Sequence, residues 1–234
     1  MFSLKYKVTT STCDVNGRLK LFSALQMMQD CSEMWIDTEP KVRLFFTEQN
    51  MAQLVASRQV DIIRVPSFKE ELTVTTSVYE VQPMFGFRNT FIYDAAGEPC
   101  YKTWSMGAFV DKSTGKLKRI DTEIINTMTF EPQLDMHYRE RRIMVPKEKG
   151  EVRNSISVMR ADIDYNGHVN NANYIRMAME YLPTDFDVKS LRIEYRMPAK
   201  LGDVLIPTVY QHDNVFLLVL SVGGNVCALV EFSS

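Results

Sequence analysis

Three residues with side chains suited to acid–base chemistry stand at alternate positions in the stretch DYNGHVNN, residues 164–171. They are Asp164, Asn166 and His168, which could handle protons or polarise a carbonyl group. Residues two apart in an extended segment project to the same side, so an extended conformation would direct all three into one pocket. Gly167 makes a continuous helix here less favourable.

The second part of this stretch predicts the start of a helix. Asn170 or Asn171 is a good N-cap, and apolar residues with helical spacing follow as far as Pro183. The N–H groups at the helix start, including those of Val169 and Asn170, could bind an oxyanion with help from the helix dipole. The plainer alternative is that Asp164 forms an Asx-turn and that Asn170 only caps the helix.

The same pattern occurs 150 residues earlier in the chain. DVNGRLKLFSALQMMQ at 14–29 resembles DYNGHVNNANYIRMAM at 164–179, and both run from Asp-x-Asn-Gly into a helical spacing of apolar residues. The first copy has Arg18 where the second has His168. We therefore expect the chemistry in the second half and a structural turn in the first.

A second repeat lies further along each half, where VDIIRVPSFKEELTV resembles LRIEYRMPAKLGDVLI. Pro66 matches Pro198 and Glu71 matches Asp203, at a spacing of 132 residues. The first half therefore carries 18 more residues between its helix and its proline than the second half does. We expect the additional segment in or near TEPKVRLFFTEQNM.

Apolar runs separated by turn residues predict antiparallel strands in both halves. They are Glu71–Val81, Phe85–Tyr93, Tyr101–Val110, Asp203–Tyr210, Val215–Val222 and Val226–Phe232. One main helix and several strands in each half predict an α+β fold with the helix on one face of the sheet. We divide the chain into a repeat at 1–120, a linker at 121–150 with a short helix near Thr122–Met128, and a repeat at 151–234.

Composition narrows the functional classes. A net charge of -2 argues against a nucleic-acid function. The longest apolar run, Val215–Leu220, is too short to cross a membrane, and Lys5 and Lys7 interrupt any signal sequence, so we expect a cytoplasmic protein. The cysteines and histidines are scattered, so we expect buried reduced thiols, surface positions for His137 and His212, no metal and no cofactor.

One known family shares these motifs. The run DIDYNGHVNNANYIRMAMEYLP resembles the Asp-x-Asn-x-His-Val-Asn-Asn signature of the acyl-ACP thioesterases of plants and bacteria, and EYR at 194–196 resembles their next strand. The internal repeat is similar to their double hotdog fold, in which each half wraps an antiparallel sheet around a central helix. The resemblance implies a thioester hydrolase of fatty acid biosynthesis that releases free fatty acid from acyl carrier protein bearing an acyl-phosphopantetheine.

The resemblance also implies roles for the residues of the motif. Asp164 would orient or deprotonate the attacking water, and Asn166 and His168 would position water or polarise the thioester carbonyl. Which of Asp164 and His168 is the base stays open. Plant members carry a Glu-Cys pair where this chain has Pro198 and Ala199, so we expect direct attack by water without a cysteine nucleophile.

Two further sets of residues are candidates for supporting roles. Glu180 or Glu194 could supply the acid that the plant enzymes have beside their cysteine. Methionine suits flexible apolar ligands, so a Met-rich segment of the first half could line an acyl pocket, although such a segment is also ordinary core. Its residues are Met27, Met28, Met34 and Trp35.

The sequence leaves several alternatives open. Basic residues of the linker could dock the acidic carrier protein or could simply be solvated; they are Arg139, Arg141, Arg142, Lys147 and Lys149. An acyl-CoA thioesterase of the hotdog superfamily and a non-enzymatic acyl-binding hotdog protein are the rival functions. Homodimer formation is also open, because an internal pseudo-dimer can be self-sufficient or can pair again.

Overall fold

The computed structural model describes residues 1–234, which form two compact units. Unit 1 consists of Met1–Ala56 and Ile62–Tyr138, and unit 2 consists of Ser57–Asp61 and Arg139–Ser234. Each unit has antiparallel strands with a main helix packed on them, which confirms the predicted α+β class. The repeat limits drawn from the sequence at residues 120 and 150 stay predictions.

Unit 1 contains three helices and most of five strands. Along the chain these are β1 (Phe2–Lys7), α1 (Leu21–Met34), α2 (Pro40–Glu48), β2 (Met51–Ile62), β3 (Glu71–Gln82), β4 (Phe85–Tyr93), β5 (Pro99–Asp111) and α3 (Thr122–Ile125). The strand order is β1-β3-β4-β5-β2, and residues 57–61 of β2 belong to unit 2. Helix α1 buries Leu25, Met28 and Cys31 and packs on β3 and β4.

Unit 2 contains one helix and the remaining strands. These are β6 (Glu151–Val152), β7 (Ile156–Ser157), α4 (Asn171–Met179), β8 (Ser190–Tyr195), β9 (Val204–His212), β10 (Val215–Val222) and β11 (Asn225–Ser233). The order is β2-β8-β11-β10-β9-β6, and β7 also pairs with β9. Helix α4 packs on β11. Nothing in α1 to α4 combines the length and the apolar character that a membrane span requires.

The predicted strands are confirmed, and two of them, Phe85–Tyr93 and Val215–Val222, have the predicted ends. The turns explain this accuracy. Asp213 and the pair Gly223-Gly224 have positive φ angles, so they reverse the chain on either side of β10 and fix its limits.

The helices differ more from expectation. Helix α4 ends at Met179, so Tyr181 and Leu182, which continue the apolar spacing, lie in the following turn. The extra segment of the first half forms α2, Pro40–Glu48, with proline at its start, and unit 2 has no helix between α4 and β8.

Equivalent backbone hydrogen bonds establish the repeat. The N–H of Leu19 donates to the carbonyl of Pro66 at 2.8 Å, and the N–H of Val169 donates to that of Ala199 at 2.9 Å. Leu19 and Val169 are 150 residues apart, but Pro66 and Ala199 are 133 apart. The match of Pro66 with Pro198 is therefore wrong by one residue, and the first half carries 17 additional residues.

The second pairing drawn from the sequence has the same error. Val8 exchanges two backbone hydrogen bonds with the turn at Lys69 and Glu70, and Val158 does so with the turn at Gly202 and Asp203. Glu70, not Glu71, is therefore the counterpart of Asp203. The register slipped because the single proline of each loop was taken as equivalent and because Glu70 and Glu71 are adjacent, so only the hydrogen bonds identify the counterparts.

The linker is partly ordered by packing. Ile143 is buried against Leu217, Val219 and Leu229 of unit 2. Arg139 is half-buried and pairs with Asp61 and Glu231 at 3.8 and 3.9 Å, so this residue is not a free surface cation. The remaining basic residues of the linker are exposed, and their docking role stays a prediction: Arg141, Arg142, Lys147 and Lys149.

Candidate active site

The stretch around Asp164 forms a tight turn, so the extended conformation considered from the sequence is wrong. The carboxylate of Asp164 accepts the N–H of Asn166 at 2.9 Å, and its carbonyl accepts the N–H of Gly167 at 3.0 Å. Gly167 has φ +79°, a left-handed conformation that favours glycine. We call Asp164–Gly167 the second turn. The hydrogen bond from Asn166 to the Asp164 carboxylate makes it the Asx-turn that the sequence offered as the alternative to an extended segment.

The second turn brings two of the three candidate residues together at its base. The N–H of Asp164 donates to the carbonyl of His168 at 2.9 Å, and Ile163 and Val169 form a bridge just beyond them. Asp164 and His168 are half-buried, whereas Asn166 is exposed at the tip. Asp164 and His168 are therefore joined through their backbones across the base, and the side chain of Asn166 is exposed at the tip.

Helix α4 begins directly after this base. Asn170 is its N-cap, because its side chain accepts the N–H of Ala172 at 2.9 Å. The N–H of Val169 bonds to Ala199, and that of Asn170 bonds to the carbonyl of Asp162 at 2.8 Å. Neither N–H is free for an oxyanion. The N–H of Asn171, the first helical residue, has no acceptor and is the available donor at this helix start.

Tyr174 is a site residue that the sequence reasoning missed. Its hydroxyl accepts the N–H of Ala199 at 2.7 Å, and its ring packs on Tyr195, with 5.9 Å between centroids. Burial raises the pKa of Tyr174 to about 12, so its hydroxyl stays neutral at physiological pH. Tyr195 in turn donates to the carbonyl of Asn171 at 2.9 Å, which fixes the start of α4.

Both candidate assisting acids lie away from the second turn. Glu194 accepts hydrogen bonds from the N–H of Ile143 and from Arg196, at 3.0 and 3.1 Å. Its neighbour Tyr195 reaches α4, so alternation along β8 directs Glu194 to the opposite face. Glu180 is exposed at the far end of the nine-residue α4, about 14 Å from the helix start.

The Met-rich segment of unit 1 divides between core and surface. Met27 and Met28 are buried, and the sulfur of Met28 accepts a hydrogen bond from Thr103 at 3.1 Å. Met34 is 49% exposed. Trp35 is buried and lies at the wall of two cavities.

Trp35 lines two cavities within unit 1, and the guanidinium of Arg88 lies 4.4 Å from its ring centroid. One cavity, of about 170 Å³, has a partly polar wall that includes Glu39, Ser77 and Glu131. The other is mainly apolar, and its walls include Val42, Phe46, Val78, Phe109, Ile120 and Met128.

The remaining candidate nucleophiles and ligands are not arranged for chemistry. All four cysteines are free and buried, as predicted, and burial raises the pKa of Cys31 to about 11, which disfavours its thiolate. His137 and His212 are exposed, also as predicted. Nowhere do three or more His, Cys, Asp or Glu side chains gather closely enough to hold a metal ion.

Comparison with known proteins identifies relatives of both halves. Residues 1–128 match the family model of the acyl-ACP thioesterase N-terminal domain, and residues 146–225 match that of the C-terminal domain. A chloroplastic acyl-[acyl-carrier-protein] hydrolase of Cuphea viscosissima, FATB3, is 25% identical over 167 residues, which is 68% of this chain and 40% of the relative. Oleoyl-acyl carrier protein thioesterase 2 of Arabidopsis thaliana is 23% identical, over 65% of this chain and 45% of the relative. The chain thus spans less than half the length of these relatives.

Solved structures confirm the double hotdog fold. An acyl-ACP thioesterase from Bacteroides thetaiotaomicron superposes with a TM-score of 0.87 at 18% identity. The 12:0-ACP thioesterase from Umbellularia californica superposes with the same TM-score at 16% identity. Each match covers 99% of this chain and 96% of the other.

Proposed function

Because the chain belongs to the acyl-ACP thioesterase family, we propose that it hydrolyses the thioester of fatty acyl-ACP and releases a free fatty acid in fatty acid biosynthesis. The observation that carries this proposal is the paired half-buried Asp164 and His168 at the base of the second turn, inside the C-terminal family match. A fold that only binds acyl groups has no need of such a pair.

The proposed reaction is direct attack by water. The water oxygen forms a bond to the thioester carbonyl carbon, and its proton passes to Asp164 or His168. The C–S bond then breaks with its electron pair on sulfur, and the phosphopantetheine thiolate takes up a proton. Ala199 and Pro198 offer no nucleophile where the plant enzymes carry cysteine and glutamate, so no acyl-enzyme is required.

The oxyanion needs donors that are not already in use. The N–H groups of Val169 and Asn170 are occupied, so we assign this role to the N–H of Asn171, supported by the positive end of the α4 dipole. The side chain of Asn166, exposed at the tip, is the second candidate donor. Its amide is free to turn toward a substrate that covers the tip.

The acyl-binding role predicted for residues of unit 1 stays a proposal, since the mainly apolar cavity beside Trp35 has a volume of only about 20 Å³. Apolar walls favour a hydrocarbon chain because burying it removes its surface from water. Met27 and Met28 are buried in the core of unit 1, whereas Met34 is exposed.

The test compares one acyl chain on two carriers. Purified protein is supplied with the acyl group on acyl carrier protein and on coenzyme A, and fatty acid release is measured. We expect faster hydrolysis of acyl-ACP, and at least about 100-fold loss in Asp164→Ala and His168→Ala. Faster hydrolysis of acyl-CoA would show that coenzyme A, not acyl carrier protein, carries the substrate. Tight binding without turnover would support a non-enzymatic acyl-binding protein. Full activity in both variants would reject Asp164 and His168 as the site.

A further inference from the structure

We propose that Asp162 and Arg176 are positioning residues, which orient the second turn on α4 so that Asp164 and His168 meet the substrate. The inference rests on the proposed function, because it concerns the same site. We call Asp162, Asn173 and Arg176 the neck of the second turn.

The neck is a closed set of hydrogen bonds centred on Asp162. One carboxylate oxygen lies 2.6 Å from the guanidinium of Arg176, and the other accepts the N–H of Met159 at 2.8 Å. Its carbonyl accepts the N–H of Asn170 and the side chain of Asn173, at 2.8 and 3.0 Å. Asp162 thereby joins the segment before the turn to the first two turns of α4.

Asn173 completes the neck. Its side-chain oxygen accepts from Nε of Arg176 at 3.2 Å, so each neck residue bonds to the other two. The Asp162 side chain is 7% exposed, which makes its charge costly to leave unpaired. Arg176 is 39% exposed, so solvent screens its attraction to Asp162.

The first half of the chain forms the same backbone without this neck. Thr12 stands in place of Asp162, and its hydroxyl accepts the N–H of Thr9 at 2.9 Å, as the Asp162 carboxylate does from Met159. Ser23 and Gln26 occupy the positions of Asn173 and Arg176. The fold therefore does not require an ion pair at this place.

The first half secures its turn at the tip instead. The N–H of Phe68 donates to the carbonyl of Gly17 at 2.8 Å, and Arg18 forms a bridge with Ser67. The second turn has no counterpart of either contact. It is held at the neck and open at the tip, which is the arrangement needed if a substrate must cover the tip while the reacting groups stay fixed.

The test uses the full chain with Asp162→Asn, Arg176→Gln and the double variant, assayed on acyl-ACP. Asn keeps the acceptor for Met159 but not the charge, and Gln is the residue of the first half. We expect kcat to fall about tenfold or more in each single variant with KM changed less than about threefold. The double variant should be no worse than the poorer single one, because the pair acts as a unit.

Three results distinguish failure of the positioning role from failure of the proposed function. If wild type hydrolyses no thioester, the function fails whatever the neck does. If wild type is active and Arg176→Gln, whose site is partly exposed, keeps full kcat, the positioning role is overturned, even if Asp162→Asn does not fold. If kcat falls only in proportion to the folded fraction measured by circular dichroism, the neck is structural alone. Thr12→Ala is the matched control, with unchanged kcat expected.

Discussion

The two Asp-x-Asn-Gly turns share a backbone but differ in what surrounds them. We call Asp14–Gly17 the first turn. In it the Asp14 carboxylate accepts two N–H groups at 2.8 Å, from Asn16 and Arg18. Asp164 accepts the N–H of Asn166, but the bond from His168 that would correspond to Arg18 is absent.

This difference separates a structural turn from a candidate reactive one. In the first turn the carboxylate is used to hold its own loop, and the tip is tied to Phe68. In the second turn Asp164 keeps more of its lone-pair capacity, and the neck rather than the tip supplies the anchoring. A duplicated fold can therefore retain a turn for stability in one half and leave its polar groups available in the other.

The largest expected effect comes from exchanging the one residue that distinguishes the motifs. His168→Arg gives the second turn the residue of the first and replaces an imidazole, which can accept or donate a proton, with a guanidinium, which cannot accept one. We expect kcat for acyl-ACP hydrolysis to fall by at least about 100-fold, the usual scale of general acid–base catalysis. Arg18→His is the reciprocal variant and should change kcat by less than about twofold. Equal losses in both variants would contradict the asymmetry.

The second-largest effect is a loss of stability at the buried N–H of Ala199, a group that the first half lacks. Pro66, the counterpart of Ala199, has no N–H, and Ala24, the counterpart of Tyr174, has no hydroxyl. Tyr174→Phe leaves the Ala199 N–H without its acceptor, so we expect a loss of about 1–3 kcal/mol in the free energy of unfolding. Urea denaturation measures this loss. The control Tyr181→Phe removes an exposed hydroxyl bond to Asn154 and should cost about 0.5 kcal/mol at most.

A smaller, matched effect tests whether the turns are locally the same. Gly17 and Gly167 have φ angles of +70° and +79°, and no atom comes closer than 3.8 Å to a Cβ built at either position. Alanine should therefore cost about 1 kcal/mol at each site, through backbone strain alone. The two unfolding free energies should agree within about 0.5 kcal/mol, whereas only Gly167→Ala should lower kcat. Unequal stability losses would show that the turns are not equivalent.

The smallest effect is a pH dependence confined to the first half. Hydrogen bonding from Arg64 lowers the pKa of Glu70 in the loop that contacts the first turn. Arg64 also pairs with Asp94, whose pKa is lowered first by the N–H of Glu98 and further by Arg64. The resulting stability is present above the usual carboxylate pKa and is lost as pH falls through the lowered value. Arg64→Met gives the first half the residue that the second half has at Met197. The free energy of unfolding should fall less between about pH 6 and pH 3 in this variant than in wild type, by under 1 kcal/mol. Urea midpoints at the two pH values measure it, and an unchanged difference would reject the assignment.

The features that the sequence predicted correctly are local ones. The Asx-turn, which the sequence offered as the alternative to an extended segment, closes within four residues, and Asn170 caps its own helix, so neither depends on distant contacts. Strands such as Val215–Val222 are bounded by residues with positive φ angles on both sides. The repeat was visible because Asp-x-Asn-Gly is required twice by the same backbone.

The features that the sequence did not predict depend on tertiary contacts. The neck joins Asp162 to Arg176 across 14 positions, and both are unremarkable charged residues in the sequence. The face of β8 that carries Glu194 follows from strand register, so its distance from the second turn could not be inferred from proximity in sequence. The one-residue error at Pro198 has the same origin, because only the bond from Val169 identifies Ala199 as the counterpart of Pro66.

The claim that chemistry belongs to the second turn alone is tested most directly by Asp14→Asn and Asp164→Asn. Asparagine keeps the side-chain oxygen that accepts the turn N–H and replaces the other carboxylate oxygen with an uncharged NH2 group. Single-turnover hydrolysis of acyl-ACP should slow by at least about 100-fold in Asp164→Asn and by less than about twofold in Asp14→Asn. Equal rates in the two variants, or a larger loss in Asp14→Asn, would contradict the account.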